Sequence, residues 1–210
     1  MNACRYGHTE IVRMLVETGA VYYKCKIDDW SPVMQACRYE HTEIVKMLLD
    51  TGADFNKCSI DGWSPLMQAC RYGHTEIVKV LLDTGADYNT CNSDGWSPVM
   101  TACIEGHKGI VRMLLDIGAD YNKCNNKDQS SFIIASERGH SDTVTVINEH
   151  SRNEEARKKR DRPKSSYSRK RRLDSSESDD DIPLARLREI IKDNALKKKR
   201  KGNGSPSCSQ

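Results

Sequence analysis

Residues 61–92 read DGWSPLMQACRYGHTEIVKVLLDTGADYNTCN, and this stretch recurs along the chain at a fixed interval of 33 residues. Four residue types return at equivalent places: His8, His41, His74, His107 and His140; Gly19, Gly52, Gly85 and Gly118; Trp30, Trp63 and Trp96; Cys25, Cys58, Cys91 and Cys124. A period of this length is typical of a solenoid, in which each copy stacks on the next and the copies share one continuous core.

Each copy predicts two short helices. Ser64 is placed to accept a hydrogen bond from an orphan backbone N–H as the N-cap, and Pro65 suits the first helical turn because its missing N–H would be unsatisfied there anyway. Gly73 ends this first helix. A second helix is predicted over residues 76–83, where apolar residues follow a helical period, and Gly85 closes it in a left-handed conformation. The polar segment between copies is typical of a tight, hairpin-like turn.

The order of turn, Ser-Pro, short helix, Gly-His, apolar helix and Gly-Ala-Asp resembles the ankyrin repeat, whose usual form reads DxxGxTPLHxAAxxGHxxIVxxLLxxGADxN. The resemblance implies an all-α repeat solenoid of helix–turn–helix units with β-hairpin-like turns. It covers residues 1–150, divided into a partial repeat at 1–25, full repeats at 26–58, 59–91 and 92–124, and a C-terminal capping repeat at 125–150. Because the chain starts inside a first helix, we expect it to be a fragment, or an alternative start, of a longer array.

Three departures from the family pattern carry expectations. The histidine of TPLH is replaced by methionine, so the hydrogen-bond network between neighbouring turns is expected to be absent; the replacements are Met34, Met67 and Met100. Glu40 stands where the other copies have glycine, and Asp29 replaces the turn glycine found at Gly62 and Gly95. We therefore expect the second repeat to be the more strained.

The composition changes abruptly at residue 151. Residues 1–150 carry 14 Lys/Arg against 20 Asp/Glu, net −6, whereas residues 151–210 carry 19 against 10, net +9. Dense charge with few apolar residues predicts a disordered tail, because such a segment cannot bury enough surface to offset its ordering entropy. Residues 181–196 are the exception, since their apolar residues fall on one face of a candidate binding helix.

Several functional classes are disfavoured. No apolar run approaches the roughly 18 residues of a membrane span, and no signal peptide begins the chain, so we expect an intracellular protein that does not bind membranes. Eight of the nine cysteines occupy two equivalent places in the repeat and none forms a CxxC pair, which favours core packing over zinc binding or disulfides. The histidines accompany no nucleophile, and the resemblance gives them a structural role. We expect no catalytic residues, no metal, no cofactor and no enzymatic activity.

In the ankyrin family, the turn tips and the exposed side of the first helix line a concave groove that binds proteins. The resemblance places these partner-binding positions at Asp28, Trp30, Arg38, Tyr39, Asp61, Trp63, Arg71, Tyr72, Asp94 and Trp96, with Ile104 and Glu105 at the equivalent helix positions of the fourth repeat. Tryptophan, tyrosine and arginine often dominate binding energy at interfaces. We therefore predict a protein-binding adaptor or scaffold whose groove holds a peptide or a helix. The alternative is that each tryptophan packs on the next turn and only stabilises the stack.

The tail suggests a second function, that of a nuclear regulatory protein. Its basic clusters are candidate import signals, nucleic-acid contacts or solvated charge: Arg157, Lys158, Lys159 and Arg160; Arg169, Lys170, Arg171 and Arg172; and residues 197–201. Import through a receptor is the favoured use, and the nucleus is favoured over the cytoplasm. Candidate modification sites are Ser176 and Ser178, which precede acidic residues, and Asn56, Asn89 and Asn122, which resemble the family's targets of asparaginyl hydroxylation. Structural turn bonding is the favoured role for those asparagines.

Overall fold

Pairs of short helices recur every 33 residues, as the sequence pattern predicts. A computed structural model describes residues 2–19 and 30–160, all of which belong to one unit, Met1–Arg160. The helices are α1 (Asn2–Arg5), α2 (Thr9–Glu17), α3 (Pro32–Arg38), α4 (Thr42–Asp50), α5 (Pro65–Tyr72), α6 (Thr75–Asp83), α7 (Pro98–Ile104), α8 (Lys108–Asp116), α9 (Ser131–Glu137) and α10 (Ser141–Arg160). The predicted all-α repeat solenoid is confirmed, and the described residues contain one isolated β-bridge, between Cys124 and Ser130, but no strand.

The first helix of each later repeat begins at a capping serine, as predicted. The Ser64 hydroxyl accepts a hydrogen bond from the Met67 backbone N–H at 3.2 Å, and Ser130 caps α9 in the same way although no proline follows it. Met67 itself is fully buried, and its sulfur lies 3.5 Å from the Ser64 nitrogen. The methionines that replace the family's histidine therefore fill the core beside the cap.

Gly73 ends α5 and is required there for two reasons. Its φ of 80° is left-handed, and a Cβ at this position would lie only 2.6 Å from Cε1 of His107 in the next repeat. Glu40 occupies the equivalent place in the second repeat with a φ of 62°, a conformation that costs energy for any residue with a Cβ. The strain predicted for the second repeat is thus found at Glu40, whereas Asp29 lies outside the described residues.

The turns before the first helices are closed by backbone hydrogen bonds, such as Asn92 N–H to the Trp96 carbonyl at 3.0 Å. Gly62 has a φ of 78°, and a Cβ there would lie 2.8 Å from Cα of Asn92 in the next turn. Asp128 occupies the same position in the last repeat with a φ of 57°. Because no further described repeat crowds that turn, an aspartate side chain fits where Gly62 has no room.

One row of cysteines lies in the core, where the first helices meet. Cys4, Cys37, Cys70 and Cys103 are buried. Burial raises the pKa of the Cys103 thiol to about 12 and raises the pKa of Cys37 and of Cys70 further still. The prediction of core packing is confirmed for this row. It is wrong for the described members of the second row, because Cys58 and Cys91 are half-buried and Cys124 is exposed; Cys25 lies outside the described residues.

The last helix is longer than the repeat predicts. α10 continues through residues 151–160, so the predicted start of the tail at residue 151 falls within a helix. The Tyr121 hydroxyl lies 3.3 Å from a Glu154 carboxylate oxygen, and His150 lies 3.7 Å from the same carboxylate. Composition alone misplaces this boundary because these contacts come from the neighbouring repeat.

The first repeat leaves one face of α2 uncovered. The side chains of Ile11, Met14 and Leu15 are 50%, 65% and 40% exposed, whereas Ile44 and Leu48, one period later, are fully buried. α4 packs against α2. No described helix covers the same face of α2.

Candidate functional site

Arginine and aromatic side chains form a continuous row across the first three repeats. We call this row the arginine–aromatic ladder; its members are Arg5, Tyr6, Trp30, Arg38, Tyr39, Trp63, Arg71 and Tyr72. The three arginines end α1, α3 and α5 or lie one residue before their ends. These first helices pack more extensively against one another than the second helices do, so the row follows the tightly packed side of the stack.

Neighbouring arginines share a tyrosine. The guanidinium carbons of Arg5 and Arg38 lie 5.6 and 5.5 Å from the centroid of the Tyr39 ring, and those of Arg38 and Arg71 lie 5.3 and 5.9 Å from the Tyr72 ring. Distances below about 6 Å are the range of cation–π attraction. Two cations on one ring can be no more than about 11 Å apart, so the charges form a closely spaced line.

Each of the later arginines also lies over the tryptophan of its own repeat. Arg38 lies 5.5 Å from the Trp30 ring and Arg71 lies 5.4 Å from the Trp63 ring. Within the residues that the structure describes, none of the three ladder arginines forms an ion pair with a carboxylate. Their side chains therefore lie against aromatic rings, and no carboxylate of the described residues engages their N–H donors.

The ladder ends at the fourth repeat. Ile104 and Glu105 replace the arginine and tyrosine there, and Glu137 stands at the arginine position of the fifth repeat. Trp96 is half-buried and packs against the hydrophobic core, as does Ile104. Trp96 therefore lies outside the ladder, because its repeat has Ile104 in place of the arginine that lies over Trp30 and Trp63.

The remaining predicted turn residues link neighbouring turns through backbone hydrogen bonds. The Asp61 carbonyl accepts hydrogen bonds from Ser93 N–H at 3.0 Å and from the Ser93 hydroxyl at 2.7 Å, and the Asp94 carbonyl accepts one from Asn126 N–H at 3.0 Å. Both aspartates are exposed. Asp28 lies outside the described residues.

Two ladder residues, Arg5 and Tyr6, were missed by sequence reasoning. The available signal was the period itself, since they lie 33 residues before Arg38 and Tyr39. The first repeat lacks the turn and its tryptophan, which mark the groove positions in the later repeats. The structure shows that Arg5 nevertheless lies over Tyr39 of the second repeat.

The repeat histidines fix the backbone that carries the ladder. Nε2 of His41, His74 and His107 lies 3.1, 3.1 and 3.2 Å from the carbonyl oxygens of Arg5, Arg38 and Arg71. Because the partner is a carbonyl, Nε2 carries the hydrogen and donates it. This confirms the structural role expected for the histidines and ties each ladder arginine to the following repeat.

Two of the three candidate hydroxylation sites also link neighbouring repeats. The side-chain oxygen of Asn56 accepts a hydrogen bond from Asp87 N–H at 3.0 Å, and that of Asn89 accepts one from Asp120 N–H at 3.0 Å. At Asn122, the backbone N–H donates to Asp120 at 3.0 Å. The asparagines at 56 and 89 therefore have the turn-bonding role that was favoured for them.

The basic cluster Arg157–Arg160 is exposed at the end of α10. Four other predicted features of the tail lie outside the described residues: the cluster at 169–172, Ser176, Ser178 and the candidate helix at 181–196. An open groove of about 500 Å³ lies between α8 and α10, and its lining includes charged pairs, among them Lys108 with Asp142 at 2.6 Å. Residues 2–19 and 30–160 contain no cluster of three or more His, Cys, Asp or Glu side chains suited to holding a metal ion. In the same residues, no helix combines the length and the apolar character needed to cross a membrane.

A family model for ankyrin repeats matches the chain in three copies, over residues 1–57, 52–123 and 86–160. The matches cover most of the sequence, and the chain belongs to the ankyrin-repeat family. No curated protein matches it significantly. Ankyrin repeats are generally protein-interaction modules and are typically not catalytic, so the fold supports a protein-binding role.

Proposed function

We propose that the protein is a non-enzymatic adaptor or scaffold that binds another protein along the arginine–aromatic ladder. The observation that carries this proposal is the continuity of the ladder, in which Arg38 contacts rings from two repeats and from the preceding turn. Tyrosine, tryptophan and arginine are enriched at protein interfaces and among the residues that dominate binding. A ligand lying across the ladder would contact three repeats at once.

The competing explanation is that the ladder only holds the repeats together. Tyr39 and Tyr72 are 37% and 39% exposed, which leaves more than a third of each side chain accessible. A contact whose sole purpose was packing would be expected at lower exposure. The exposure of the two tyrosines therefore favours binding.

A peptide selection tests the proposal on the full chain. A display library of random peptides is selected against the wild-type protein and against the Arg38→Ala/Arg71→Ala variant. The matched control is Arg13→Ala/Lys79→Ala, which removes two positive charges from exposed positions on the second helices α2 and α6. The pair Trp63→Ala/Trp96→Ala is less suitable, because Trp96 packs against the core and its loss would also lower stability.

The expected result is a family of peptides that binds the wild type and the control but not the ladder variant. Thermal unfolding of all three proteins should agree within a few degrees, since exposed cation–π pairs contribute only about 0.5–1 kcal/mol. Peptides that bind all three proteins equally would overturn the proposal. A collapse in the stability of the ladder variant alone would instead assign the row a packing role.

A second proposal concerns nuclear import through the basic cluster Arg157–Arg160. It is supported by the exposure of these four residues at the end of α10. In a reporter fusion of the full chain, replacing all four with alanine should shift the protein from nucleus to cytoplasm. A fusion that remains nuclear would assign import to another segment, and one that is never nuclear would exclude import as a function.

A further inference from the structure

The ladder has the chemistry and spacing to select one kind of ligand. We propose that it binds a proline-rich acidic segment in the polyproline II conformation, with a carboxylate at every third residue. This inference rests on the proposed function, because it names the ligand class of the same surface. It is argued from the aromatic contacts of the arginines, from their spacing and from the change of charge beyond them.

The arginines are prepared to receive carboxylates. A guanidinium that lies over an aromatic ring keeps its in-plane N–H donors available, and these donors match the two oxygens of a carboxylate. Arg5, Arg38 and Arg71 each lie over at least two rings. Because the rings already restrict these long side chains, little further rotamer entropy is lost when an anion binds.

The spacing between the arginines decides the conformation of the ligand. Neighbouring packed helices lie about 8–10 Å apart, and the shared tyrosines keep successive guanidinium carbons within about 11 Å of each other. A polyproline II segment advances about 3.1 Å per residue with three residues per turn, so every third side chain returns to one face after about 9 Å. In a β-strand, by contrast, same-face side chains recur after about 7 Å or about 13 Å.

The tyrosines suit the residues between the carboxylates. Tyr39 and Tyr72 lie between successive arginines and are more than a third exposed. Aromatic grooves bind proline-rich segments because the ligand is already extended and loses little entropy on binding. The ladder therefore presents alternating sites, a cation for each carboxylate and a ring for the prolines between them.

The fourth and fifth repeats limit the length of the acidic pattern. Glu105 and Glu137 follow where the row would otherwise continue as tyrosine and arginine, and both are exposed. A fourth carboxylate on the ligand would meet these charges, whereas a basic residue would be accepted. The same acidic neighbours, with the exposed Asp61 and Asp94, disfavour a nucleic acid, whose every residue carries a phosphate.

Two labelled peptides of identical composition provide the test. Both contain three glutamates in a background of proline and alanine, placed at every third position in one peptide and at every second position in the other. Binding to the full chain is measured by fluorescence anisotropy at low and at physiological salt. The basic residues beyond residue 160 attract both peptides through the same total charge, so a difference between the peptides reports the spacing.

The every-third peptide is expected to bind at least about tenfold more tightly than the every-second peptide, which is the effect of one charge-assisted contact. Arg38→Gln should remove this difference. Arg38→Lys should remove most of it as well, because lysine keeps the charge but lacks the planar pair of donors. Circular dichroism and thermal unfolding verify that both variants are folded, and Arg13→Gln is the matched control.

Equal affinity for the two peptides would contradict the proposed carboxylate at every third residue. An affinity difference that is unchanged in Arg38→Gln would contradict binding at the ladder. Displacement of the every-third peptide by a single-stranded oligonucleotide of equal charge, lost in Arg38→Gln, would assign the ladder to nucleic acid instead. If the display selection yields peptides that need Arg38 but lack the acidic pattern, the proposed function stands and this inference fails. If no peptide needs Arg38 or Arg71, both fail together.

Discussion

Nε2 of His107 lies 3.2 Å from the carbonyl oxygen of Arg71, the residue whose guanidinium lies over the rings of Trp63 and Tyr72. One arginine therefore has two functions. Its carbonyl joins the third repeat to the fourth, and its side chain forms part of the exposed ladder. The stability of the stack and the geometry of the candidate binding surface are linked through this residue.

Replacing His107 with alanine should lower the free energy of unfolding by about 1–2 kcal/mol, because the Arg71 carbonyl loses its donor. Urea denaturation of the full chain measures the change. His8→Ala is the matched control, since His8 forms no such hydrogen bond in the described residues, and it should change stability by less than about 0.5 kcal/mol. Equal losses in the two variants would show that the hydrogen bond does not stabilise the stack.

Gly73→Ala should destabilise the protein far more than Gly139→Ala. Both glycines are left-handed, with φ of 80° and 74°, so both substitutions incur a backbone cost of about 1–2 kcal/mol. Only at Gly73 does the added Cβ meet another residue, 2.6 Å from Cε1 of His107. Denaturant unfolding should show that the free energy of unfolding of Gly73→Ala is lower than that of Gly139→Ala by about 1–3 kcal/mol. A difference near zero would mean that the His107 ring moves aside at no cost.

Glu40→Gly should raise the free energy of unfolding by about 0.5–1 kcal/mol, because glycine adopts the φ of 62° found there without the strain of a Cβ. Within the described residues, the substitution removes a 3.7 Å contact with His74, in which the glutamate is largely exposed, and such pairs contribute little. The control is Glu105→Gly, where φ is −101° and glycine should instead destabilise. Thermal unfolding that shows Glu40→Gly to be the less stable variant would contradict the strain argument.

The cysteines should react with an alkylating reagent in the order of their exposure. The thiolate is the reactive form, and burial raises the pKa of Cys37, Cys70 and Cys103. At pH 8 we expect rapid modification of Cys124, slower modification of Cys58 and none of the buried row until the protein unfolds. Pulsed labelling followed by peptide mass spectrometry measures the order.

The raised thiol pKa values also predict that the free energy of unfolding falls at alkaline pH. These thiols have raised pKa values when folded, so their contribution to stability is complete below the unfolded pKa of 9.0 and is lost as the pH rises above it. Cys70→Ala should weaken this alkaline dependence. Fast labelling of Cys70 in the folded protein would contradict the buried position.

Truncation should distinguish the end of the folded unit from the predicted start of the tail. Removing residues 161–210 is expected to leave the melting temperature nearly unchanged. Removing residues 151–210 also deletes Glu154, the partner of Tyr121 and His150, and should lower stability by about 1 kcal/mol. Calorimetry of the two truncations and the full chain makes the comparison. Identical melting of both truncations would place the folded boundary at residue 150.

The 33-residue period was sufficient to predict the helix pairs, the capping serines and the structural histidines, because each depends on residues within one repeat or on its strict recurrence. Contacts between particular side chains were not predictable in this way. Trp63 and Trp96 have the same local sequence, yet one lies beneath Arg71 and the other packs against the core because Ile104 replaces the arginine. The extension of α10 depends similarly on Tyr121, a residue of the preceding repeat.

The strained backbone at Glu40 lies in the middle of the ladder, between the repeats that carry Arg5 and Arg71. In a stack whose units contact only their neighbours, an unfavourable unit lowers the energy needed for local opening at that point. A ligand bound simultaneously by arginines on both sides of the second repeat would oppose the local opening of that repeat. Amide hydrogen exchange around α3 should then slow in proportion to ligand occupancy. The exchange rate would therefore report both ligand binding and the local rigidity of this repeat.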